Sequence, residues 1–297
     1  MPHTRPIMDE ERKTMADQAQ NLRKLVNRQK EIRVVSVASG KGGVGKSSIS
    51  VNLAIAISRL GARVLVLDAD FGLANVDVML GVTSKYDVSY FLRGEKTLQE
   101  IIQLGHEGVR FISGGSGVKD LLDMGEEQLA DLLSGLVQLD APIDFIIIDT
   151  GAGINDTVMQ LILASTETIV VITPEPTSIL DAYALVKTIV RRDKSHPIHV
   201  LINKSENKKE AFRVQEGFVE IAGRHLGKNT NPLGAITYDH EVPKSIKRQV
   251  PIIISNPGSP ASKEIEEIAR AVLDMPNEKE SESFLSKLFS RIVGDRG

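Results

Sequence analysis

The sequence has no cysteine and no tryptophan, and aromatic side chains make up only 4% of its 297 residues. Without a thiol there is no disulfide, no iron–sulfur ligation and no thiol catalysis. The composition is compatible with a reducing compartment. Six histidines are scattered without metal-binding spacing. Two of them, His196 and His199, flank Pro197 at the entrance to a strand and are expected at the surface. No apolar run is long enough to cross a bilayer; the longest, such as Thr168-Ile169-Val170-Val171-Ile172, have strand length. Charge of neither sign dominates, and a net charge of −3 leaves no general nucleic-acid footprint. Residues 1–13 are polar and charged, unlike a secretory signal. The rest is ordinary for a globular chain: 41% hydrophobic, 25% charged, and long enough for one or two domains with a core that needs no staples.

Against this background one stretch stands out, Gly40-Lys41-Gly42-Gly43-Val44-Gly45-Lys46-Ser47. It is a Gly, four residues, then Gly-Lys-Ser, the pattern of a loop that cradles phosphates. Residues 33–38 before it read as a buried strand, and residues 47–60 after it as a helix with Ile49, Leu53, Ala56, Ile57 and Leu60 on one face. A strand, a glycine turn and a helix N-terminus make an anion site, because backbone N–H groups and the helix dipole both favour negative charge there. The residues from Gly40 to Ser48 are expected to hold a nucleotide, with Lys46 on the β- and γ-phosphates and the Ser47 hydroxyl on Mg²⁺.

The next buried strand, Val64-Leu65-Val66-Leu67, ends at Asp68-Ala69-Asp70. Ligands of α/β sheets bind beyond the carboxyl ends of strands, so two aspartates emerging there belong beside a triphosphate. One suits the water shell of Mg²⁺ and the other the attacking water. The run Phe145-Ile146-Ile147-Ile148-Asp149 is a strand buried on both faces, and its terminal carboxylate suits an outer position on the metal. Gly151 and Gly153 leave the backbone after it free to respond to a γ-phosphate. Residues 86–117 are expected to hold short helices and one strand, at 109–112.

The second half continues the alternation. Strands are expected at 168–172, 199–202 and 232–236, and helices at 155–165, 178–191, 209–226, 241–248 and 261–273. The fold class is therefore α/β, a mostly parallel sheet with helices on both faces. Asn203 leaves a strand end, where an amide can read the adenine edge with a donor and an acceptor.

The two ends differ from this body. In residues 1–32, Met15, Ala19, Leu22 and Val26 follow helical spacing, and Asp17 with Gln20 resembles an N-cap and its reciprocal partner. After a polar linker, Phe284, Leu285, Leu288, Phe289, Ile292 and Val293 fill one half of a helical wheel, and Ser286, Lys287, Ser290 and Arg291 the other. That segregation fits a helix lying in a membrane surface. The expected division is a leader at 1–32, a phosphate-loop domain at 33–275, and a linker with an amphipathic helix at 276–297.

From about residue 33 to 273 the chain resembles the MinD/ParA group of ATPases, on the strength of the loop at 40–47, the run from Asp68 to Asp77, and Asp149-Thr150-Gly151-Ala152-Gly153. The resemblance implies a phosphate-loop ATPase that binds ATP and Mg²⁺ and dimerises with itself when ATP is bound. Lys41 then matches the lysine that crosses the dimer interface to the partner's nucleotide, and Lys46 the phosphate-loop lysine. Asp70 matches the switch aspartate needed for hydrolysis, and Asp149 the carboxylate of the second switch. Asp181 matches a helix position used in dimer and activator contacts. The leader resembles that of the flagellar-number regulators (FlhG, also called YlxH or FleN), in which a glutamine activates the signal-recognition-type GTPase FlhF; Gln20 is the preferred equivalent and Gln18 the next.

Placement at the inner face of the cell membrane, on anionic lipid, is expected, with a transcriptional regulator or flagellar basal-body protein as a further kind of partner. Direct DNA binding is not expected. The missing cysteines and the four scattered tyrosines set the chain apart from iron–sulfur carriers and tyrosine kinases of similar build. The competing expectation is a ParA-type partitioning ATPase. It would need a basic dimer surface, to which Lys204, Lys208, Lys209, Lys244, Lys247 and Arg248 would contribute, and would not need the tail.

Overall fold

Strand β1 (Arg33–Ser39) is buried along its whole length. Valine and alanine fill it, so it pairs on both edges and packs on both faces. A computed structural model of the chain describes residues 32–71, 73, 75–115, 126–137, 139 and 142–275, and a compact unit begins at Arg33. The leader helix with Gln18 and Gln20, and the tail with Phe284, Leu285, Leu288, Phe289 and Ile292, lie outside the described residues.

After β1 come α1 (Lys46–Arg59), β2 (Val64–Ala69), α2 (Asn75–Leu80), α3 (Val88–Leu92), α4 (Leu98–Ile101), β3 (Gln103–Leu104), β4 (Arg110–Ile112), α5 (Glu126–Val137) and β5 (Phe145–Ala152). Then follow α6 (Asp156–Ala164), β6 (Glu167–Ile172), α7 (Pro176–Arg192), β7 (Ile198–Ser205), α8 (Lys208–Leu226), β8 (Asn231–Thr237), α9 (Glu241–Lys247), α10 (Ile252–Ser255) and α11 (Pro260–Asp274). Eight strands form one sheet in the order β3-β4-β2-β5-β1-β6-β7-β8. Every neighbouring pair is parallel except β3 with β4. The chain leaves β1 to build one wing of the sheet and returns to build the other, so the loop after β1 lies where ligands of such sheets collect.

Each face of the sheet has its own core. On one, Val35, Val37 and Ile147 pack with Leu53 and Ile57 of α1 and with Ile265 and Ile268 of α11. On the other, Val170, Ile172 and Ile202 pack with Ile162 of α6, Leu185 and Val186 of α7 and Phe218 of α8. Truncating one such Leu or Ile to Ala costs about 2–5 kcal/mol. The helices start where side chains accept their free N–H groups. Asn155 accepts from Val158 N, Asn207 from Glu210 N and Ser259 from Ser262 N. Helix α7 begins two residues earlier than its apolar spacing suggests, at Pro176, where the missing N–H is harmless.

Two expectations fail. Residues 86–117 hold a second strand, β3, whose two residues pair antiparallel with β4; a strand that short carries no legible period. His196 and His199 are not at the surface but buried. Parallel strand β7 enters the sheet beside β6, with Ile169 opposite His199. A strand covered on both faces has no solvent side for a ring to take. Polar neighbours on β6 meet both rings: His196 Nε2 lies 2.7 Å from Thr168 Oγ1, and His199 Nε2 lies 2.9 Å from Glu167 Oε2. Arg33 completes this buried group. It donates to Glu167 through Nε at 2.8 Å and to the carbonyl of Val272, in the last turn of α11, through Nη1 at 2.6 Å.

Candidate functional site

The loop after β1 turns sharply against two other parts of the fold. A Cβ on Gly40 would overlap the backbone carbonyl of Asp181 in α7, so no larger residue fits without moving the helix. Gly45 caps α1 at φ 100° and lies against the Asn203 amide. This angle is one that side chains avoid. Helix α1 then starts at Lys46, which directs its N-terminus at the loop's hollow.

Lys46 is almost fully buried, and its ammonium donates to Ser39 Oγ at 3.1 Å. Burial lowers its pKa from the usual lysine value, while the charges of Asp149 and Asp70 oppose the shift. A buried ammonium with so few partners is ready for phosphate oxygens. Ser39 passes the contact on by donating to the Lys41 carbonyl at 2.7 Å.

Three carboxylates line up at the ends of β2 and β5. Asp149 is fully buried, with Oδ1 accepting from Ser50 Oγ at 3.0 Å and Ser47 donating to it as well. Burial pushes its pKa up to about 6, against the two serine hydroxyls and Lys46. Among the described residues Asp149 Oδ2 has no hydrogen-bond partner. Asp70 is half-buried, with Oδ2 accepting from Asn75 Nδ2 at 3.0 Å. Burial raises its pKa, and Lys46 and Asn75 oppose the rise. Asp68 is fully buried, and its two oxygens accept from the backbone N–H of Asp70 and of Val76. Burial, with the Asp149 charge next, pushes it up to about 8.

The orphaned Asp149 oxygen beside the Ser47 hydroxyl and Asp70 fits a hard divalent cation or its water shell, since all the donors are oxygens. Among the described residues no three His, Cys, Asp or Glu side chains gather to hold a metal alone. That fits Mg²⁺, which takes one or two protein oxygens and completes its shell with substrate phosphates and water.

The loop opens into a cleft of about 850 Å³. Gly42, Gly43, Gly45, Lys46, Ser47 and Ser48 line the phosphate end, with Asp70 beside them. The other end is walled by Asn203, Thr237, Tyr238, Val242, Pro243 and Ile246. One N–H of Asn203 is engaged, its Nδ2 lying 2.7 Å from Val44 O, which leaves its second N–H and its oxygen for a ligand. Lys41 turns the other way, onto Glu175 and Thr177 at the start of α7. Asp181 is exposed on that helix.

Structure thus brings Lys46, Ser47, Asp70 and Asp149 together and puts Asn203 against the loop rather than only at its far wall. Sequence patterns missed Ser39, Ser50 and Asn75, each of which orients a site residue, and the apolar wall on α9. Ser50 was within reach of sequence, since it lies three residues after Ser47 on the same helix face. Asn75 lies within the Asp68–Asp77 run that carries the resemblance, though its grip on Asp70 was not legible there, and the α9 wall carried no signal, being defined only by where the chain returns after β8.

Comparison with known proteins agrees with this fold. The family profile described as "ParA: NUBPL iron-transfer P-loop NTPase" matches residues 30–273. Antiactivator FleN of Pseudomonas aeruginosa is 35% identical over 262 residues, covering 88% of this chain and 94% of that protein. The flagellum site-determining protein YlxH of Helicobacter pylori is 33% identical and covers 80% of each. Among solved structures, the MinC:MinD cell division complex of Aquifex aeolicus aligns at a TM-score of 0.68 and 25% identity, over 82% of this chain and 97% of that one. MinD of Pyrococcus horikoshii, solved with Mg-ADP, aligns at 0.70 and 23% identity over 82% and 96%, which bears on the fold. With a family profile matching residues 30–273, relatives above 30% identity over most of their length and a mostly parallel eight-stranded sheet, the chain belongs to the ParA/MinD family of P-loop NTPases.

Proposed function

We propose that the chain is an ATP-dependent, membrane-responsive switch that controls flagellar number or placement together with an FlhF-type GTPase. The observation that carries the nucleotide part is the group of Lys46, Ser47, Asp70 and Asp149 at one end of a cleft of nucleotide size. The flagellar part is supported by the names of the relatives FleN and YlxH.

Each step follows from a group's place. The loop's N–H groups and Lys46 hold the phosphates. Ser47 with Asp149 and Asp70 would hold Mg²⁺, which supplies charge neutralisation on the phosphate oxygens when bound. Asp70, half-buried and steered by Asn75, is placed to orient a water against the γ-phosphate. Asn203 would offer its oxygen to the adenine amino group. Leu73 in the cleft lining, Ile154 just after β5 and Leu180 on α7 are exposed apolar side chains, which a second copy could cover. Lys41 would then leave Glu175 for the partner's nucleotide.

Membrane response is assigned to residues 284–293, with Gln20 and Gln18 of the leader assigned to the GTPase. Among the described residues no helix is long and apolar enough to cross a membrane. The segregated apolar and basic halves of residues 284–293 suit a helix lying in a membrane surface. Sedimentation with anionic liposomes tests this. ATP should carry the protein into the pellet and ADP should not, and Phe289→Glu should abolish pelleting while ATP-driven dimerisation persists. Retardation of DNA without pelleting would favour a ParA-type positioning ATPase instead. Deleting residues 1–25, or Gln20→Ala, should leave ATP binding intact and remove stimulation of the GTPase.

A further inference from the structure

A phosphate loop offers its N–H groups to an anion only if its carbonyls are turned elsewhere, and a carbonyl turned elsewhere needs its own donor. Here four of the loop's carbonyls have one. Lys41 O accepts from Ser39 Oγ at 2.7 Å, Gly43 O from Lys204 Nζ at 2.7 Å, Val44 O from Asn203 Nδ2 at 2.7 Å, and Gly45 O from Ile49 N at 3.0 Å. Ser39 and Ile49 are neighbours in sequence. Asn203 and Lys204 come from the end of β7, 159 and 161 residues away from their partners in sequence, and both come from one irregularity.

That irregularity is at the end of β7. Its register against β8 slips between Asn203 and Ser205, and Lys204 adopts φ 59°. A regular strand would send adjacent side chains to opposite faces of the sheet. The bulge sends both to the loop, which is what bulges beside functional sites do. A lysine in the left-handed region is disfavoured by its Cβ and is kept there only where surrounding contacts hold it. Here the ammonium meets the Gly43 carbonyl, and the Glu175 charge also lies within its reach.

We propose that Lys204 is a positioning residue for nucleotide binding. Its ammonium holds the Gly43 carbonyl outward and keeps the loop open to an anion before nucleotide arrives. The proposal rests on the assignment of the loop to nucleoside phosphates. Lys204 and Lys46 divide the work: Lys46 is buried in the hollow, whereas Lys204 is exposed and braces the loop from outside.

The two lysines are told apart by titrating the full-length protein with fluorescent ADP and ATP in Mg²⁺. Lys204→Met should weaken both nucleotides equally, by about tenfold, as expected for one charge-assisted hydrogen bond. Lys204→Arg, which can still donate, should recover most of the affinity. Lys204→Gly relieves the left-handed backbone and so should fold normally, yet bind as weakly as the Met variant. Weakening of ATP alone would mean a γ-phosphate or partner contact and overturn the idea. So would a lower thermal midpoint with unchanged affinity, or no change at all. A wild-type protein that binds neither nucleotide would remove the underlying assignment and leave the brace without a role to test.

Discussion

Lys41 reaches Glu175 and Thr177 on its own chain, with its ammonium 2.6 Å from Glu175 Oε2 and 3.0 Å from Thr177 Oγ1. Both members of the ion pair are substantially exposed, so water and salt compete with it. The lysine is held in place but held weakly. Its release for a contact across a dimer is therefore cheap. We expect Glu175→Gln to change ATP-dependent dimerisation only a few-fold. Lys41→Ala should keep ATP binding and lose the dimer. Size-exclusion chromatography with light scattering in ATP checks both, and a dimeric Lys41→Ala protein would refute the assignment.

Lys46 and Asp70 share the cleft but act on different parts of the ligand. Lys46→Ala removes the buried charge facing the phosphates, and ATP binding should disappear from a calorimetric titration. Asp70→Ala should bind ATP and stay dimeric but not hydrolyse it. Asn75→Ala, which frees the Asp70 carboxylate from its amide, should lower turnover with little effect on binding. An Asp70→Ala protein that is monomeric in ATP contradicts these roles.

The buried aspartates make stability depend on pH in an unusual direction. An unfolded aspartate has the ordinary value of 3.8, while the fold pushes Asp149 up to about 6 and Asp68 up to about 8. Stabilisation from both is fully present below about pH 4. That of Asp149 is lost as pH rises to about 6, and that of Asp68 as it rises to about 8. Between pH 5.5 and 8 the nucleotide-free protein should become less stable, by up to about 1.4 kcal/mol per unit for each group still titrating. Urea unfolding across that range measures the slope, and a rising stability would contradict it. Mg²⁺-ATP, which favours the ionised carboxylates, should flatten the fall.

At the other end of β1, Arg33 is buried between Glu167 and the end of α11. Arg33→Met leaves the Glu167 charge with only His199 beside it. The expected loss of stability is about 3–5 kcal/mol. Adding Glu167→Gln should recover much of it. Nucleotide affinity should not change, because the cleft lies at the opposite ends of the strands. A matching loss of affinity would show that this group is coupled to the site.

Much of the fold was legible because its signals are local. Glycine spacing marks the loop, continuous apolar runs mark β5 and β6, and carboxylates at strand ends mark Asp70 and Asp149. Parts set by long-range return were not legible. Nothing near His199 in sequence announces Glu167 as its neighbour. Asn203 could be placed at a strand end from its context, but not its grip on Val44, which depends on a slip in pairing with β8. The α9 wall of the cleft depends likewise on where β8 ends.

The hydrogen bond from Arg33 to Val272 brings the start of β1 to the final turn of α11, the first strand and the last helix among the described residues. The path between these points need not run in its present order. A short bridge from Met275 to Ile32, with new ends opened at the exposed turn at Gly94, would give a rearranged chain with every strand pairing of the sheet retained. Such a molecule would separate the nucleotide machine from both appended segments while leaving no loose end near Arg33. It would also give an engineer a different corner of the protein on which to mount a reporter.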